Sequence, residues 1–343
     1  MSSVVVRELE DVHASAWDDF VHAQPDGTFF HLSAWRRLVC DVFGHSAHYL
    51  ASYEQGQLTG VLPLVHQRSL LFGNSLISTP FCVYGGIVAA TAAAQAALER
   101  SAIELAARLR VDYLEMRNRR LTQDAWPTKD LYVTFRRELS ADHDENMKAI
   151  PRKQRAMVRG GIDAGLRSEI DPGVDRLYAA YSESVRNLGT PVFPKKYFAA
   201  LREVFGEACE VLTVLKDDEV VSSVLSFYFR DEVLPYYGGG TRRARELKAN
   251  DFMHWEVMRR AVDRGIRVFD FGRSKSGSGS YRFKKHWGFT PAPLHYQYHL
   301  VRSREMPNLS PNNPKYRMLV GAWQRLPLGL SRLLGPMLAR HLG

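Results

Sequence analysis

The chain has 343 residues and a mass of 39.0 kDa, which is long for one hydrophobic core and makes two domains the default. Its residues are 45% hydrophobic and 24% charged, which excludes a chain that is disordered throughout. The formal net charge of +9 suits an anionic partner such as nucleic acid, a nucleotide phosphate or an anionic membrane surface, without choosing among them.

The cysteines and the N-terminus bear on the compartment. Cys40, Cys82 and Cys209 are odd in number and far apart, which argues against a disulfide framework or a zinc knuckle and favours a reducing cytoplasm. Acidic residues occur early where a signal peptide needs an apolar run, so we do not expect secretion. No window holds 18 uncharged apolar residues, so we expect no membrane-spanning helix.

In the first half, apolar spacing predicts two helices and then strands. Ser33 is the expected N-cap of the second helix. The predicted elements are helices over 15–22 and 31–43, strands over 48–53 and 58–66, strand character ending at 81–86, a helix over 91–110 and a strand over 111–117.

The second half repeats this order. Strands are predicted over 210–215, 220–229 and 233–237, then a helix over 250–264 and a strand that carries Asp270. Tyr84 precedes Glu115 by 31 residues, and Tyr237 precedes Asp270 by 33. A repeat of this length predicts two related α/β (α+β) domains in tandem.

A basic segment separates the halves. It contains Pro151, which suits the first position of a helix, and the cations Lys148, Arg152, Lys153, Arg155 and Arg159. One interpretation is a solvated linker helix. The other is a helix that lines a cleft between the domains, where Arg152 and Arg155 would bind substrate, because ligand pockets favour domain interfaces. The loop over 186–191 would line the same cleft and leads into an aromatic helix over 197–205.

The tail has a different composition. A Pro/Asn-rich linker over 307–316 precedes an apolar segment that contains Arg317, Arg325, Arg332 and Arg340 and is interrupted by prolines. It predicts an amphipathic helical tail that lies on an anionic membrane or packs on the protein's own surface, with the second slightly favoured. The expected divisions are an N-terminal domain over 1–145, a linker helix over 146–164, a C-terminal domain over 165–305 and the tail over 306–343.

The stretch most suggestive of chemistry is RVFDFGRSKSGSGSYRFKKHWGF, residues 267–289. A buried strand around Asp270 leads into a Gly/Ser loop and then into a segment in which aromatic residues alternate with cations. Loops carried by rigid strands often hold functional groups, and a lysine can stabilise a phosphate or a developing oxyanion. The alternative is a flexible surface hairpin with a solvated basic flank.

Other chemistries have weaker support. The close histidine pairs, His45/His48 and His295/His299, have poor spacing for one ion, so we expect no metal. No nucleophile elbow or phosphate loop of the Gly-x-x-x-x-Gly-Lys type occurs. YYGGGTRRAR, at 236–245, places glycines and arginines ahead of a helix, so Gly239, Gly240, Arg242 and Arg243 would hold an anionic cofactor unless the segment is only a bend.

Taken together, the repeated unit, the YYGGG strand end and FDFGRS…YRFKKHWGF resemble the FemAB-like branch of the GNAT superfamily. NLGTPVFPKKYF and AWQRLPLGLSRLLGP add a resemblance to the subgroup associated with exosortase/PEP-CTERM and exopolysaccharide systems. The resemblance implies two GNAT-like domains facing a central cleft. It also implies transfer of an acyl or aminoacyl group to an amine or hydroxyl.

Residue by residue, the resemblance assigns an acyl-transfer lysine to Lys284, with Lys285 beside it. Arg273, Ser274, Tyr281 and Tyr237 would then bind substrate, and Asp270 would orient a cation or backbone. YYGGGTRRAR lacks the usual CoA pattern, and no long heptad run suggests a tRNA-binding arm, so acyl-CoA and aminoacyl-tRNA both stay open as donors.

Three functions follow as hypotheses. The first is an acyltransferase, cytoplasmic or peripheral to the inner membrane, that modifies a sugar or peptide precursor of the cell envelope or of an exopolysaccharide. The second is an aminoacyl-tRNA-dependent peptidyltransferase of FemAB type. The third is a non-catalytic binding module in an exopolysaccharide or protein-sorting assembly, docked by its tail.

Overall fold

The structure, a computed structural model, describes residues 4–69, 73–307 and 314–342, with the backbone alone at 314–317. The elements up to residue 138 are β1 (Val5–Glu8), α1 (Ala14–Ala23), α2 (Ala34–Asp41), β2 (Ser46–Glu54), β3 (Gln57–Ser69), β4 (Gly73–Ser78), β5 (Val88–Ala89), α3 (Ala92–Arg108), β6 (Tyr113–Asn118), β7 (Thr128–Lys129) and β8 (Tyr132–Glu138).

The rest of the chain adds α4 (His143–Ala149), α5 (Arg152–Asp163), β9 (Arg167–Ile170), α6 (Asp175–Asn187), α7 (Lys195–Phe205), β10 (Cys209–Lys216), β11 (Glu219–Phe229), β12 (Glu232–Gly240), α8 (Ala249–Asp263), β13 (Val268–Asp270), β14 (Ser274–Lys275), α9 (Gly279–His286), β15 (Pro291–Pro293), β16 (His295–Leu300), α10 (Pro314–Gln324) and α11 (Leu328–Ala339).

Most predicted elements are present, and two local predictions were wrong. Ser33 occupies the predicted N-cap position of α2 but makes no capping hydrogen bond there; its N–H and hydroxyl donate instead to the Asp18 carboxylate at 2.7 and 2.9 Å. The strand expected to end at Gly86 ends at Ser78 and continues as a loop. The basic linker is two helices, α4 and α5, because Pro151 has an extended backbone and precedes α5 as its N-cap.

The described residues form two compact units. Unit 1 combines Met1–Tyr132 with Pro293–Asn308 and Arg340–Gly343, and unit 2 combines Val133–Ala292 with Leu309–Ala339. The domain boundaries expected at residues 145 and 305 differ from this division. The reason is strand pairing: β8 hydrogen-bonds with β13 of unit 2, and β16 hydrogen-bonds with β6 of unit 1.

Unit 1 is built on a sheet with strand order β1-β2-β3-β4-β6-β16-β7, and β5 pairs with β3. Strands β4 and β6 are parallel, and α3 connects them as the crossover helix that a parallel pair requires. The core behind the sheet packs apolar residues of α3 against strand residues such as Leu62, Leu76 and Leu114.

Unit 2 is built on a sheet with order β9-β10-β11-β12-β13-β8-β14, and β15 pairs with β8. Its parallel pair is β12 and β13, connected by α8. A second core packs α8 against the sheet and extends to Phe271, Trp287 and Phe289 around the stretch that the sequence marks for chemistry.

The two sheets have the same strand order, so the repeat predicted from sequence is present in the structure. One strand of each sheet departs from a simple tandem duplication. The strand antiparallel to β6 is β16, which follows the second repeat in the chain, and the strand antiparallel to β13 is β8, which follows the first. Each sheet is therefore completed by a strand from the other half of the sequence.

Within unit 2, helix α11 of the tail packs on α6 and on the loop that follows it. Gly335 of α11 lies against Val192, so that a Cβ there would be 2.9 Å from the Val192 backbone nitrogen. Arg332 donates to Ser182 Oγ at 2.9 Å and lies over the Tyr178 ring. Most of the predicted Pro/Asn linker, residues 308–313, lies outside the described residues, as does the side chain of Arg317.

Candidate active site

The stretch over 267–289 forms a strand, a turn and a helix, so the surface-hairpin alternative is wrong. Gly272 turns the chain directly after β13 with φ +67, a conformation that L side chains rarely adopt. Ser278 caps α9, and its Oγ accepts the Tyr281 N–H at 3.2 Å. The helix carries Lys284 back onto the turn that follows β13.

Lys284 is buried, with only 8% of the residue exposed. Its Nζ donates to the carbonyl oxygens of Gly272 at 3.0 Å and Arg273 at 3.1 Å. The same nitrogen lies 5.6 Å from the centre of the Phe135 ring. Lysine is rarely buried without a charged partner, so the burial of Lys284 calls for a structural or functional explanation.

Burial determines the acidity of this amine. The pKa of Lys284 is lowered from 10.5 to about 7, chiefly by desolvation; the negative charge of Asp270 opposes this shift, and the positive charge of Arg273 adds to it. A lysine whose pKa lies near neutrality can change protonation state during a reaction at physiological pH.

Asp270 is fully buried behind the lysine. Its carboxylate accepts the Gly272 N–H at 2.7 Å, the Thr134 hydroxyl at 3.2 Å and an Arg136 N–H at 3.3 Å. Arg136 also pairs with Glu232. Asp270 thus holds the turn whose carbonyls bind Lys284, and it supplies the nearby negative charge.

Three other predicted residues lie on the same turn and helix. Ser274 in β14 is buried, and its Oγ has no hydrogen-bond partner among the residues described. Arg273 is partly buried beside it, and its carbonyl binds Lys284. The ring of Tyr281 packs edge-on against Phe135 at 5.5 Å.

Lys285 differs from its neighbour. It is exposed, and its Nζ lies 5.9 Å from the Tyr281 ring centre. Adjacent residues of a helix point in directions about 100° apart, so only one of the two lysines can enter the core. Lys284 is therefore the buried member of the pair, and Lys285 lies at the surface.

His254 was not predicted from the sequence. It lies in α8 next to Phe271, with ring centres 5.0 Å apart, and its buried Nδ1 has no hydrogen-bond partner among the described residues. Desolvation and the charge of Lys284 lower its pKa to about 3, so the ring is neutral. The sequence signal was a single histidine in a helix of mixed polar and apolar residues, which does not distinguish a site residue from a core residue.

Tyr237 lies in a different environment from Lys284. It is buried among the rings of α6 and α7, and its hydroxyl is 3.0 Å from the Tyr197 hydroxyl. Tyr181 and Phe198 pack edge-on against it. The structure gives this tyrosine a clear packing role beneath the two helices.

The glycine-rich strand end serves close packing. A Cβ at Gly239 would lie 2.7 Å from Ser184 Cβ in α6, and one at Gly240 would overlap Ala244. The Arg242 N–H donates to Glu183, and the Arg243 side chain pairs with Glu219. An anion bound at these residues would have to displace two carboxylates.

Helix α5 presents a more accessible cationic surface. Arg152, Arg155 and Arg159 follow one another at helical spacing and, with Ala156 and Asp163, line a depression of about 490 Å³. None of the three arginines forms an ion pair within the described ranges, and the buried Nε of Arg155 has no hydrogen-bond partner there. The structure does not place these arginines against Lys284.

A comparison with family models identifies part of unit 2. Residues 146–285, which run from α4 to the lysine pair, match the model described as the acetyltransferase (GNAT) domain. This segment is therefore similar to a GNAT-type domain. The tandem α/β fold that the sequence repeat predicts is therefore confirmed, together with the GNAT-like character that the family resemblance implies.

Several solved structures share this fold at low identity. FemX has a TM-score of 0.66 at 15% identity, covering 92% of this chain and 100% of its own. The C-terminal domain of a putative lysylphosphatidylglycerol synthetase from Agrobacterium fabrum has a TM-score of 0.56 at 14% identity, covering 84% and 91%.

A tandem GNAT protein from the clavulanic acid biosynthesis pathway also has a TM-score of 0.56, at 11% identity, covering 89% and 100%. No curated protein matches the chain by sequence. Within the described residues, no group of three or more His, Cys, Asp or Glu side chains could hold a metal ion, and no helix is long and apolar enough to cross a membrane.

Proposed function

We propose that this protein transfers an acyl or aminoacyl group from an activated donor to an amine or hydroxyl of a cell-envelope or exopolysaccharide precursor. The observation that carries the proposal is Lys284, a buried lysine with a pKa of about 7 inside a GNAT domain. Lysines with a strongly shifted pKa are candidates for catalysis, because burying a lysine without a use costs stability. The class of acceptor rests on the sequence resemblance of residues 267–289 and of the tail.

In the proposed reaction, the acceptor nitrogen or oxygen attacks the acyl carbonyl carbon and forms the new bond. The carbonyl electrons move to oxygen, and the Lys284 ammonium stabilises the resulting oxyanion. When the C=O bond forms again, the bond to the donor's leaving group breaks, and the proton lost by the acceptor ends on that group. Loss of one oxyanion donor costs about 3 kcal/mol in comparable sites.

The hydrogen bonds of Lys284 support this role. An ammonium has three N–H donors, and the carbonyls of Gly272 and Arg273 take two of them. The third is left for the substrate oxygen. Because the pKa of Lys284 is about 7, the reactive ammonium is lost as the pH rises above neutrality, so the step should slow about tenfold per pH unit there.

We assign the remaining substrate contacts by position. Arg273, Ser274 and Tyr281 surround the lysine and would contact the acceptor. The unpaired arginines of α5 would hold the phosphates of the donor, whether acyl-CoA or aminoacyl-tRNA. This placement is preferred over Gly239, Gly240, Arg242 and Arg243, whose environment is filled by helix packing and carboxylates.

The first experiment is native mass spectrometry with acetyl-CoA, a long-chain acyl-CoA and an aminoacyl-tRNA, followed by turnover measurements with the donor that binds. Lys284→Ala should lower turnover by two to three orders of magnitude while donor binding is kept, and Lys285→Ala should stay within a few-fold of the wild type. Normal turnover by Lys284→Ala would remove this lysine from the mechanism.

Two alternatives give different outcomes in the same experiment. A peptidyltransferase that uses aminoacyl-tRNA would bind only that donor, with an affinity that falls steeply with salt because phosphate contacts release counterions. A non-catalytic binding module would bind none of the donors and would depend on its tail for localisation.

The tail supports contact with an anionic membrane as part of this proposal. Its outer surface exposes Met318 (77%), Leu333 (70%) and Met337 (68%), and Leu319, Leu330 and Leu334 extend the apolar area. Exposed Arg325 adds positive charge. Apolar side chains with basic neighbours on a helix are typical of binding at an anionic lipid interface.

A vesicle experiment tests this contact. The wild type should sediment with vesicles of anionic phosphatidylglycerol and much less with phosphatidylcholine vesicles. The double variant Leu333→Ser, Met337→Ser should stay in solution. Equal binding by the variant would exclude the tail as the membrane contact.

A further inference from the structure

Unit 1 contains a cavity that the proposed reaction does not use. It has a volume of about 100 Å³ and lies at the carboxyl ends of the parallel strands β4 and β6. Tyr84, Gly85 and Gly86 come from the loop after β4, and Asn118 and Arg119 come from the end of β6. Ligands of α/β sheets bind preferentially at such strand ends.

The cavity wall requires two glycines. A Cβ at Gly85 would overlap the Ser78 carbonyl oxygen, and one at Gly86 would overlap Asn118 Oδ1. The Gly85 N–H donates to the Arg117 carbonyl at 2.9 Å. The backbone here is therefore held against the ends of β4 and β6 at distances that leave no room for a Cβ.

His31 fixes the direction of the next peptide group. It is buried, its Nδ1 accepts the Thr28 N–H at 3.2 Å, and its Nε2 therefore donates to the Gly86 carbonyl at 3.2 Å. Across the described ranges, the N–H groups of Gly86 and Ile87 have no acceptor. Two successive backbone donors are thus available at the cavity lining.

The charged side chains around the cavity favour a bound ligand with a single negative charge. Arg117 is paired with Glu115 at 2.8 Å, and Arg120 lies 3.4 Å from Asp26. Arg119 is half-buried and lies over the Tyr84 ring at 5.3 Å, with no ion-pair partner in the described parts of the chain. One unpaired guanidinium and two N–H groups match a monoanion with two planar oxygens.

We propose that this cavity binds a small carboxylate, with Arg119 and the N–H groups of Gly86 and Ile87 holding its oxygens. A volume of about 100 Å³ equals roughly three waters, enough for a carboxylate with a short substituent. A phosphate dianion would leave one charge unmatched. The site lies in unit 1, and this proposal does not depend on the role proposed for Lys284.

The test is isothermal titration of the full chain with acetate, propionate, glycolate and inorganic phosphate in a zwitterionic buffer. At least one carboxylate should bind saturably with a dissociation constant in the millimolar range or tighter. Arg119→Gln should weaken that binding at least tenfold, and Arg119→Lys should weaken it less, because the charge remains and the two-pronged geometry is lost.

The control is Arg108→Gln, which alters an exposed arginine of α3 outside the cavity and should bind like the wild type. Thermal unfolding of each variant checks the fold. Unchanged carboxylate binding by a folded Arg119→Gln, phosphate binding tighter than any carboxylate, or no binding by the wild type would each overturn the proposal.

Discussion

Replacing Lys284 by methionine should make the protein more stable in a manner that depends on pH. Methionine keeps much of the length of the side chain and removes the amine. In the wild type, folding must bring an amine whose pKa is 10.5 in the unfolded chain into a place where the pKa is about 7. Below pH 10.5 the unfolded chain binds this proton more readily than the folded one, and this lowers the stability of the wild type.

The size of the effect follows from that shift. A difference of about 3.5 pKa units corresponds to about 5 kcal/mol over the full range, at about 1.36 kcal/mol per unit. Between pH 7 and pH 9.5 the wild type should gain about 3 kcal/mol in unfolding free energy relative to Lys284→Met. The variant also loses the two hydrogen bonds to Gly272 and Arg273. This loss changes the difference in unfolding free energy between the two proteins by the same amount at every pH, so it does not alter the dependence of that difference on pH.

Urea unfolding at half-unit steps from pH 7 to pH 9.5 measures the difference, because contributions from all other groups cancel between the two proteins. Lys285→Met, which alters the exposed neighbour, should run parallel to the wild type. If Lys284→Met also runs parallel to the wild type, the lysine is not held at a lowered pKa and the argument for its catalytic role fails.

Three further predictions concern the fold. Gly239→Ala should lower stability by about 1–3 kcal/mol, because its Cβ would lie 2.9 Å from Tyr181 Cα, while Gly279→Ala, with no neighbour within 4 Å, should be near neutral by thermal unfolding. Burial lowers the pKa of His31 from 6.5 to about 4, so up to about 3 kcal/mol of stability should be lost as the pH falls from 6.5 to 4. The stability of His31→Gln should depend much less on pH in this range. Residues 1–145 alone lack β16, which pairs with β6, and should show no cooperative unfolding by circular dichroism, whereas a chain that appends 293–307 should regain it.

The sequence was sufficient for the elements and for their repetition. Apolar periodicity located α3, α8 and the long strands of both sheets to within a few residues, because these features are local along the chain. The same holds for the stretch around Asp270 and Lys284, where a buried strand, small residues and alternating cations and aromatics are adjacent in sequence. In this stretch the sequence left open whether the lysine and arginine side chains are solvated or buried.

Tertiary structure decided the rest. Lys284 and Lys285 are indistinguishable in sequence, and only the packing of α9 places one in the core and leaves the other in water. The sequence of the β12 glycines suggests an anion-binding strand end, but in the structure α6 packs on them. Likewise the expected divisions put residues 132–138 in the N-terminal domain and residues 295–300 in the C-terminal domain. In the structure β8 and β16 each complete the sheet of the other half, because a strand's sheet is set by partners that are distant in the chain. The periodicity of helices and strands is determined by residues that are close together in sequence, whereas burial, pKa and strand pairing depend on contacts between residues far apart in sequence.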